Sequence, residues 1–181
     1  MSENKICKEI LITQKDIDNI VERIGNQINH DYAGEEVVFV SILNGSFMFT
    51  SDLLKHIELD CHIDFMQAST YGNSTTSSGN FVVKKDISLD VANKNVIIVE
   101  DILDTGYTMK NLVEYFRIKQ VKTLKIVTMI DKPKRRTEDI TADYVGYTMT
   151  DDSFIVGYGL DYAQRYRNLP YIGILADHLH P

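Results

Sequence analysis

Hydrophobic positions in this chain recur at two different spacings, and the switches between them set the expected order of elements. Ile17, Ile20, Val21, Ile24 and Ile28 fall on one face at helical spacing, which predicts an amphipathic helix over residues 13 to 30. Thr13 with Asp16 at its start has the form of a capping box. Val37 to Leu43 is apolar apart from Ser41 and reads as a strand, ending at Asn44-Gly45-Ser46, with a helix from there to about His56. Cys61 to Gln67 alternates as a strand, residues 68 to 80 are almost all small and polar, and Phe81 to Val83 resumes a strand. Val96 to Val99 is an unbroken β-branched run, expected to be buried on both faces as in a parallel sheet. A helix then runs from near Tyr107 to about Lys119, followed by a buried strand over Leu124 to Ile130. Shorter strands are expected at Tyr144 to Thr148, Ser153 to Val156 and Tyr171 to Leu175. Strands alternating with helices predict an α/β fold with a mainly parallel sheet and an irregular C-terminal portion.

Composition narrows the class without changing that picture. With 181 residues, 44% hydrophobic and 25% charged, the chain suits one domain with a real core. Nineteen basic against 26 acidic side chains give a formal charge of −7, which argues against nucleic-acid and anionic-membrane partners. No apolar window approaches the roughly 18 residues that a membrane span needs, and the N-terminal Met-Ser-Glu-Asn-Lys lacks a signal-peptide core, so a cytoplasmic location is expected. Cys7 and Cys61 form no Cys-x-x-Cys pair and read as reduced structural thiols; the five histidines have no metal-ligand spacing.

The chemistry concentrates where the β-branched run meets Glu100-Asp101-Ile102-Leu103-Asp104-Thr105-Gly106-Tyr107-Thr108. Charged side chains are rarely fully buried without a partner, so the two acids belong at the C-terminal end of the strand, where open α/β sheets bind ligands. Gly106 permits close backbone approach, Thr105 and Thr108 add hydroxyls, and a helix starting near Tyr107 aims free N–H groups at the same point. One loop thus offers carboxylates for hydroxyls or a metal beside a cradle for an anion, a combination suited to a phosphorylated sugar.

Hydrophobic run, Glu-Asp, two residues, Asp-Thr-Gly-x-Thr closely resembles the phosphoribosyl diphosphate (PRPP) motif of the type I phosphoribosyltransferases. The resemblance narrows with Met129-Ile130-Asp131-Lys132-Pro133 and with Ser153-Phe154-Ile155-Val156-Gly157-Tyr158-Gly159-Leu160-Asp161-Tyr162, through to Arg167. Those segments are similar to the hypoxanthine-guanine phosphoribosyltransferases, over nearly the full chain. The resemblance implies the type I fold, with a core over about residues 30–150, a small hood from the N-terminal residues and about 151–181, and a lid over about 68–80.

Carried onto this sequence, the resemblance assigns roles residue by residue. Glu100 and Asp101 would hold the ribose hydroxyls and one Mg²⁺, and Asp161 would anchor a second ion beside the purine, which it would also contact. Asp104 would be the general base and part of the PRPP-binding loop. Thr105, Gly106, Tyr107 and Thr108 would bind the 5′-phosphate. Leu43, Asn44 and Gly45 would turn backbone N–H groups to the diphosphate across a cis peptide at Leu43-Asn44. This chain has Asn44 where many relatives carry Lys or Arg, leaving Arg167 to supply charge. Phe154 would stack on the purine, a contact worth about 1–3 kcal/mol, with the Ile155 backbone reading the base edge. Lys132 would donate to the 6-oxo group, while Lys134, Arg135 and Arg136 are expected to be solvated. Thr70 and Tyr71 would cover the diphosphate when the lid closes. The substrates implied are PRPP, hypoxanthine and guanine, and the assembly a homodimer or homotetramer. Xanthine remains open as a substrate; Lys132 and Phe154 weigh against adenine and orotate. An RNA-binding regulator of the same fold would need a basic face, which the charge disfavours.

Overall fold

The computed structural model describes residues 6–71 and 80–179, with side chains except at 69–71 and 80. Among these the chain runs β1 (Cys7–Ile12), α1 (Gln14–Asp31), β2 (Val37–Leu43), α2 (Phe47–Leu54), β3 (Cys61–Tyr71), β4 (Asn80–Lys85), β5 (Asn95–Leu103), α3 (Tyr107–Ile118), β6 (Thr123–Asp131), β7 (Tyr144–Thr148), β8 (Ile155–Val156) and β9 (Ile172–Leu175). Short 3-10 turns at Pro133–Arg135 and Asp177–Leu179 complete it.

Six strands form the main sheet in the order β4-β3-β2-β5-β6-β7, all parallel except β4, which pairs antiparallel with β3. Strand order reverses between β2 and β5: the chain moves outward from β2 to β3, then returns to place β5 on the other side of β2. Such a switch point opens a crevice beyond the strand C-termini. The unbroken apolar runs follow from helices on both faces. Val37, Phe39, Ile97 and Val99 pack with Ile17, Ile24 and Ile28 of α1 and Phe49 and Leu53 of α2. Val38, Val40, Val96 and Ile98 point the other way, against Met109, Leu112 and Phe116 of α3. Sheet burial therefore removes the polar alternation that a one-sided strand would show.

The α1 cap forms as its sequence predicts: the Asp16 N–H donates to Thr13 Oγ1 at 3.2 Å and the Thr13 N–H to Asp16 Oδ2 at 3.0 Å. A second, antiparallel sheet joins β1, β9 and β8 and packs Ile155, Ile172 and Ile174 into the core on the α1 side of the main sheet. Its β1 has no counterpart among the predicted elements. Only Cys7 and Ile12 at its ends are buried, so an interior of Lys8, Glu9 and Ile10 shows no period-two pattern. The predicted strand at Ser153 to Val156 contracts to its last two residues. β3 and β4 run into the small polar segment from either side, and residues 72–79 of the expected lid lie outside the described residues. No described helix is long and apolar enough to cross a membrane.

Asp64, on β3, is a buried acid that braces the main sheet. Its carboxylate accepts the N–H groups of Phe65 at 2.7 Å, Ser88 at 2.5 Å and Leu89 at 2.9 Å, with Lys85 Nζ 3.7 Å away. Burial alone would raise its pKa, but the three amides and Lys85 outweigh it and hold the carboxyl below the ordinary value. Because the folded-state value is depressed, the stabilisation is present above the unfolded pKa and is lost as pH falls through the folded one. Asp64→Ala, which strands those donors, is expected to cost about 1–3 kcal/mol at neutral pH. The gap between the two melting temperatures should close on acidification below about pH 4. Scanning calorimetry from neutral to acid pH checks both.

Candidate active site

The switch-point crevice is where the predicted chemistry gathers. β5 enters it with Glu100 and Asp101, and β2 beside it ends at Leu43, whose peptide to Asn44 is cis. Burial and the adjacent Asp101 charge push the Glu100 carboxyl well above the usual carboxylate range. Burial also raises Asp101, against hydrogen bonding from Glu100 and the Ile102 N–H and the nearby Arg167 cation. Two half-buried acids side by side are a charge pair that a cation would relieve. Gly45 lies flat on Asp101: a Cβ built there would overlap the carboxylate, and one on Gly159 would overlap the Gly45 carbonyl. Beneath this loop Ser41 Oγ bonds Ser46 Oγ and Thr50 Oγ1, both at 2.8 Å, while Ser46 Oγ donates to the Ile42 carbonyl at 2.6 Å. This buried hydroxyl network fixes the loop's seat on the sheet.

Asp104, Thr105 and Gly106 lead into α3. Gly106 adopts φ 87°, the left-handed region, to turn the chain sharply into the helix. α3 begins at Tyr107, whose N–H reaches Thr105 Oγ1 at 3.4 Å, and its first turn brings Thr108 and Met109 to the lining of the crevice. The loop is held from outside. Arg136 donates to the carbonyls of Asp104 at 2.8 Å and Leu103 at 3.0 Å, and pairs with Asp131 and the Ile140 carbonyl. The amides of Thr137 and Glu138 both donate to the Thr105 carbonyl, at 3.0 and 3.2 Å. Leu43, Gly45, Glu100, Asp101, Asp104, Thr105, Gly106, Thr108, Asp161 and Arg167 are thereby brought around one cavity of 390 Å³. Asn44 is exposed at its edge.

A second cavity, of 270 Å³, adjoins the first; Asp101, Ile102, Asp104 and Asp161 line both. Its remaining wall includes Lys132, Phe154 and Ile155. Lys132 is buried, with Nζ donating to the Ser153 carbonyl at 2.8 Å. Desolvation lowers its pKa, while the neighbouring Asp104 charge works to keep it cationic. Phe154 is 42% exposed with its ring edge-on to Tyr162, and so presents aromatic surface at the cavity rim. Arg167 grips the loop between β8 and β9: it pairs with Asp161 at 2.7 Å and donates to the Gly159 carbonyl at 2.7 Å. Tyr158 in the same loop is buried and donates to Asp52 of α2 at 2.8 Å, which anchors the small sheet to the core.

Thr70 and Tyr71 stand at the end of β3, opposite Phe81 and Asn80, and their side chains lie outside the described set. Lys134 and Arg135 are exposed as expected of the basic run, whereas Arg136 departs from it. Arg136 is half-buried under the Asp104 loop, and Arg135 pairs with Asp104 and Asp152. The 3-10 turn at Pro133 folds the basic run back along the strand end, a reversal that a charge run alone does not announce. Among the described residues no group of three or more His, Cys, Asp or Glu is arranged to hold a metal by itself. Glu100 and Asp101 nonetheless fit Mg²⁺, which takes one or two carboxylates and completes its shell with water and substrate phosphates.

Residues 9–163 match the model of the phosphoribosyl transferase domain. The chain is 50% identical over 168 residues to the hypoxanthine-guanine phosphoribosyltransferase of Staphylococcus aureus, covering 93% of each. It is 45% identical to that of Bacillus subtilis over the same share of both chains. A crystal structure of a hypoxanthine phosphoribosyltransferase from Staphylococcus aureus superposes with a TM-score of 0.94 at 46% identity, covering 99% of this chain and 100% of that one. By sequence and fold alike, the chain belongs to the phosphoribosyltransferase family, in the branch of the hypoxanthine-guanine enzymes.

Proposed function

We propose that this protein serves purine salvage by transferring the 5-phosphoribosyl group of PRPP to N9 of hypoxanthine or guanine, giving IMP or GMP and diphosphate. One observation supports this above the rest: two adjoining cavities share a wall of Asp101, Ile102, Asp104 and Asp161. The larger has acids and helix amides for a phosphorylated pentose; the smaller has a buried ammonium and an aromatic face for an oxopurine.

Glu100 and Asp101 accept hydrogen bonds from the ribose hydroxyls, and Thr105, Gly106, Tyr107 and Thr108 bind the 5′-phosphate through amides and hydroxyls. The backbone of Leu43, Asn44 and Gly45 meets the departing diphosphate, with Arg167 behind it. Glu100 and Asp101 would hold one Mg²⁺ and Asp161 a second, and the ions would supply charge neutralisation at that leaving group. Phe154 stacks on the base and the Ile155 backbone reads its edge. Lys132 donates to the 6-oxo group, where adenine would present a donor instead. Asp104, at the shared wall, accepts the proton lost from the purine. Thr70 and Tyr71 close the lid of residues 68–80, since water would capture an exposed ribosyl cation. The chain acts as one unit, core over 30–150 and hood from the N-terminal residues and 151–181. It works in the cytoplasm as a homodimer or homotetramer.

Diphosphate release from PRPP, Mg²⁺ and each purine tests the proposal. Turnover with hypoxanthine and guanine, and none with adenine, is expected. Turnover with adenine, or with no purine at all, would overturn it.

A further inference from the structure

Arg135 sits on an exposed turn, yet its guanidinium is engaged from two sides. Nε donates to Asp104 Oδ1 at 2.6 Å and Nη1 to Asp152 Oδ1 at 2.8 Å. Asp104 belongs to the loop after β5, and Asp152 to the connection between β7 and β8, so the fork spans two walls of the smaller cavity. The backbone beneath it is fixed. The Arg135 N–H donates to the Lys132 carbonyl at 3.0 Å, and the adjacent Arg136 holds the carbonyls of Leu103 and Asp104. Guanidinium donors form a planar, rigid fork, and a fork held at one arm restricts the carboxylate on the other. Among the described residues Asp104 Oδ2 has no hydrogen-bond partner, while Asp104 lines both cavities.

We propose that Arg135 is the positioning residue for Asp104 in phosphoribosyl transfer, holding Oδ1 so that Oδ2 stays free for the purine. In that step the ring N–H bond breaks and its proton joins Oδ2. The N9 lone pair forms the bond to C1, and the electron pair of the C1–O bond leaves with diphosphate. The inference rests on Asp104 being the general base, and it assigns to Arg135 a role in kcat rather than in PRPP binding. Arg135 is exposed and its pairs lie at the surface, so its loss should hardly alter the thermal melt.

The test is a cycle of Arg135→Gln, Asp104→Asn and the double variant, with Arg135→Lys as the conservative control. Arg135→Gln is expected to lower kcat on the order of tenfold or more, as small misplacements of a reacting group do. KM for PRPP should stay within about twofold, since binding is untouched. Arg135→Lys, which keeps a donor for Oδ1, should recover part of the loss. In the Asp104→Asn background, adding Arg135→Gln should change kcat no further. An unimpaired Arg135→Gln beside a collapsed Asp104→Asn would overturn this inference alone, as would full additivity in the cycle. Wild-type turnover in Asp104→Asn would overturn the base assignment and this inference with it. Should Arg135→Gln show no melting transition, Arg135→Lys supplies the same comparison in both backgrounds.

Discussion

Asp104→Ala is expected to lower turnover about 10²- to 10⁴-fold while leaving PRPP binding nearly intact. The separation follows from position. Asp104 opens the loop, whereas in the proposed binding mode the phosphate meets the amides and hydroxyls after it and the sugar the acids before it; all of these segments line one cavity. Removing its carboxylate takes away a proton acceptor needed only as the C1–O bond breaks, so the loss falls on kcat. The loop itself should keep its course, because Arg136 and the amides of Thr137 and Glu138 hold carbonyls, which alanine retains. Steady-state diphosphate release together with PRPP titration calorimetry would separate the two quantities. Turnover like that of the parent would reject the assignment, and loss of PRPP affinity in proportion to kcat would move Asp104 from proton transfer to binding.

The second large effect is expected at Lys132. Lys132→Met keeps the length and burial of the side chain and deletes its charged donor. A hydrogen bond from a charged group contributes about 1.5–3 kcal/mol, so kcat/KM for hypoxanthine and guanine should fall roughly 10- to 150-fold. Discrimination against adenine should shrink as well. A site that pairs a specific polar group can reject its mismatch by about 10⁴-fold or more, and that rejection depends on the donor being present. Lys132 Nζ donates to the Ser153 carbonyl at 2.8 Å, which leaves an ammonium two further donors for a base carbonyl. Competition assays with hypoxanthine, guanine and adenine at saturating PRPP would measure the change. An adenine preference unmoved by the substitution would remove Lys132 from base recognition.

Much of this architecture can be read in the residues themselves. The apolar runs at Val37 to Leu43 and Val96 to Val99 predict a two-sided parallel sheet, and the helices against Phe39 and Val40 on opposite faces are its cause. The acids at the end of β5 and the turn at Gly106 read as carboxylates beside a loop for an anion, and the structure brings both segments to the lining of one cavity. Legibility fails where function depends on distant partners. Arg135 reaches back 31 positions to Asp104 and Arg136 reaches 33 to Leu103, across a turn that local spacing gives no reason to draw. Ser41, Ser46 and Thr50 read as ordinary small polar residues, and only the packing of α2 on β2 joins them into one network. β1 escapes for the opposite reason: its partner β9 lies some 160 residues later, and its own pattern carries no face.

Among the described residues four side chains line both chambers, and this closeness has a pharmacological consequence. A single molecule with a flat heterocycle at one end and an anionic group at the other, joined by a tether of about sugar length, would occupy both at once. Such a bridging inhibitor loses translational and rotational freedom once instead of twice, so its affinity should exceed what either fragment achieves alone.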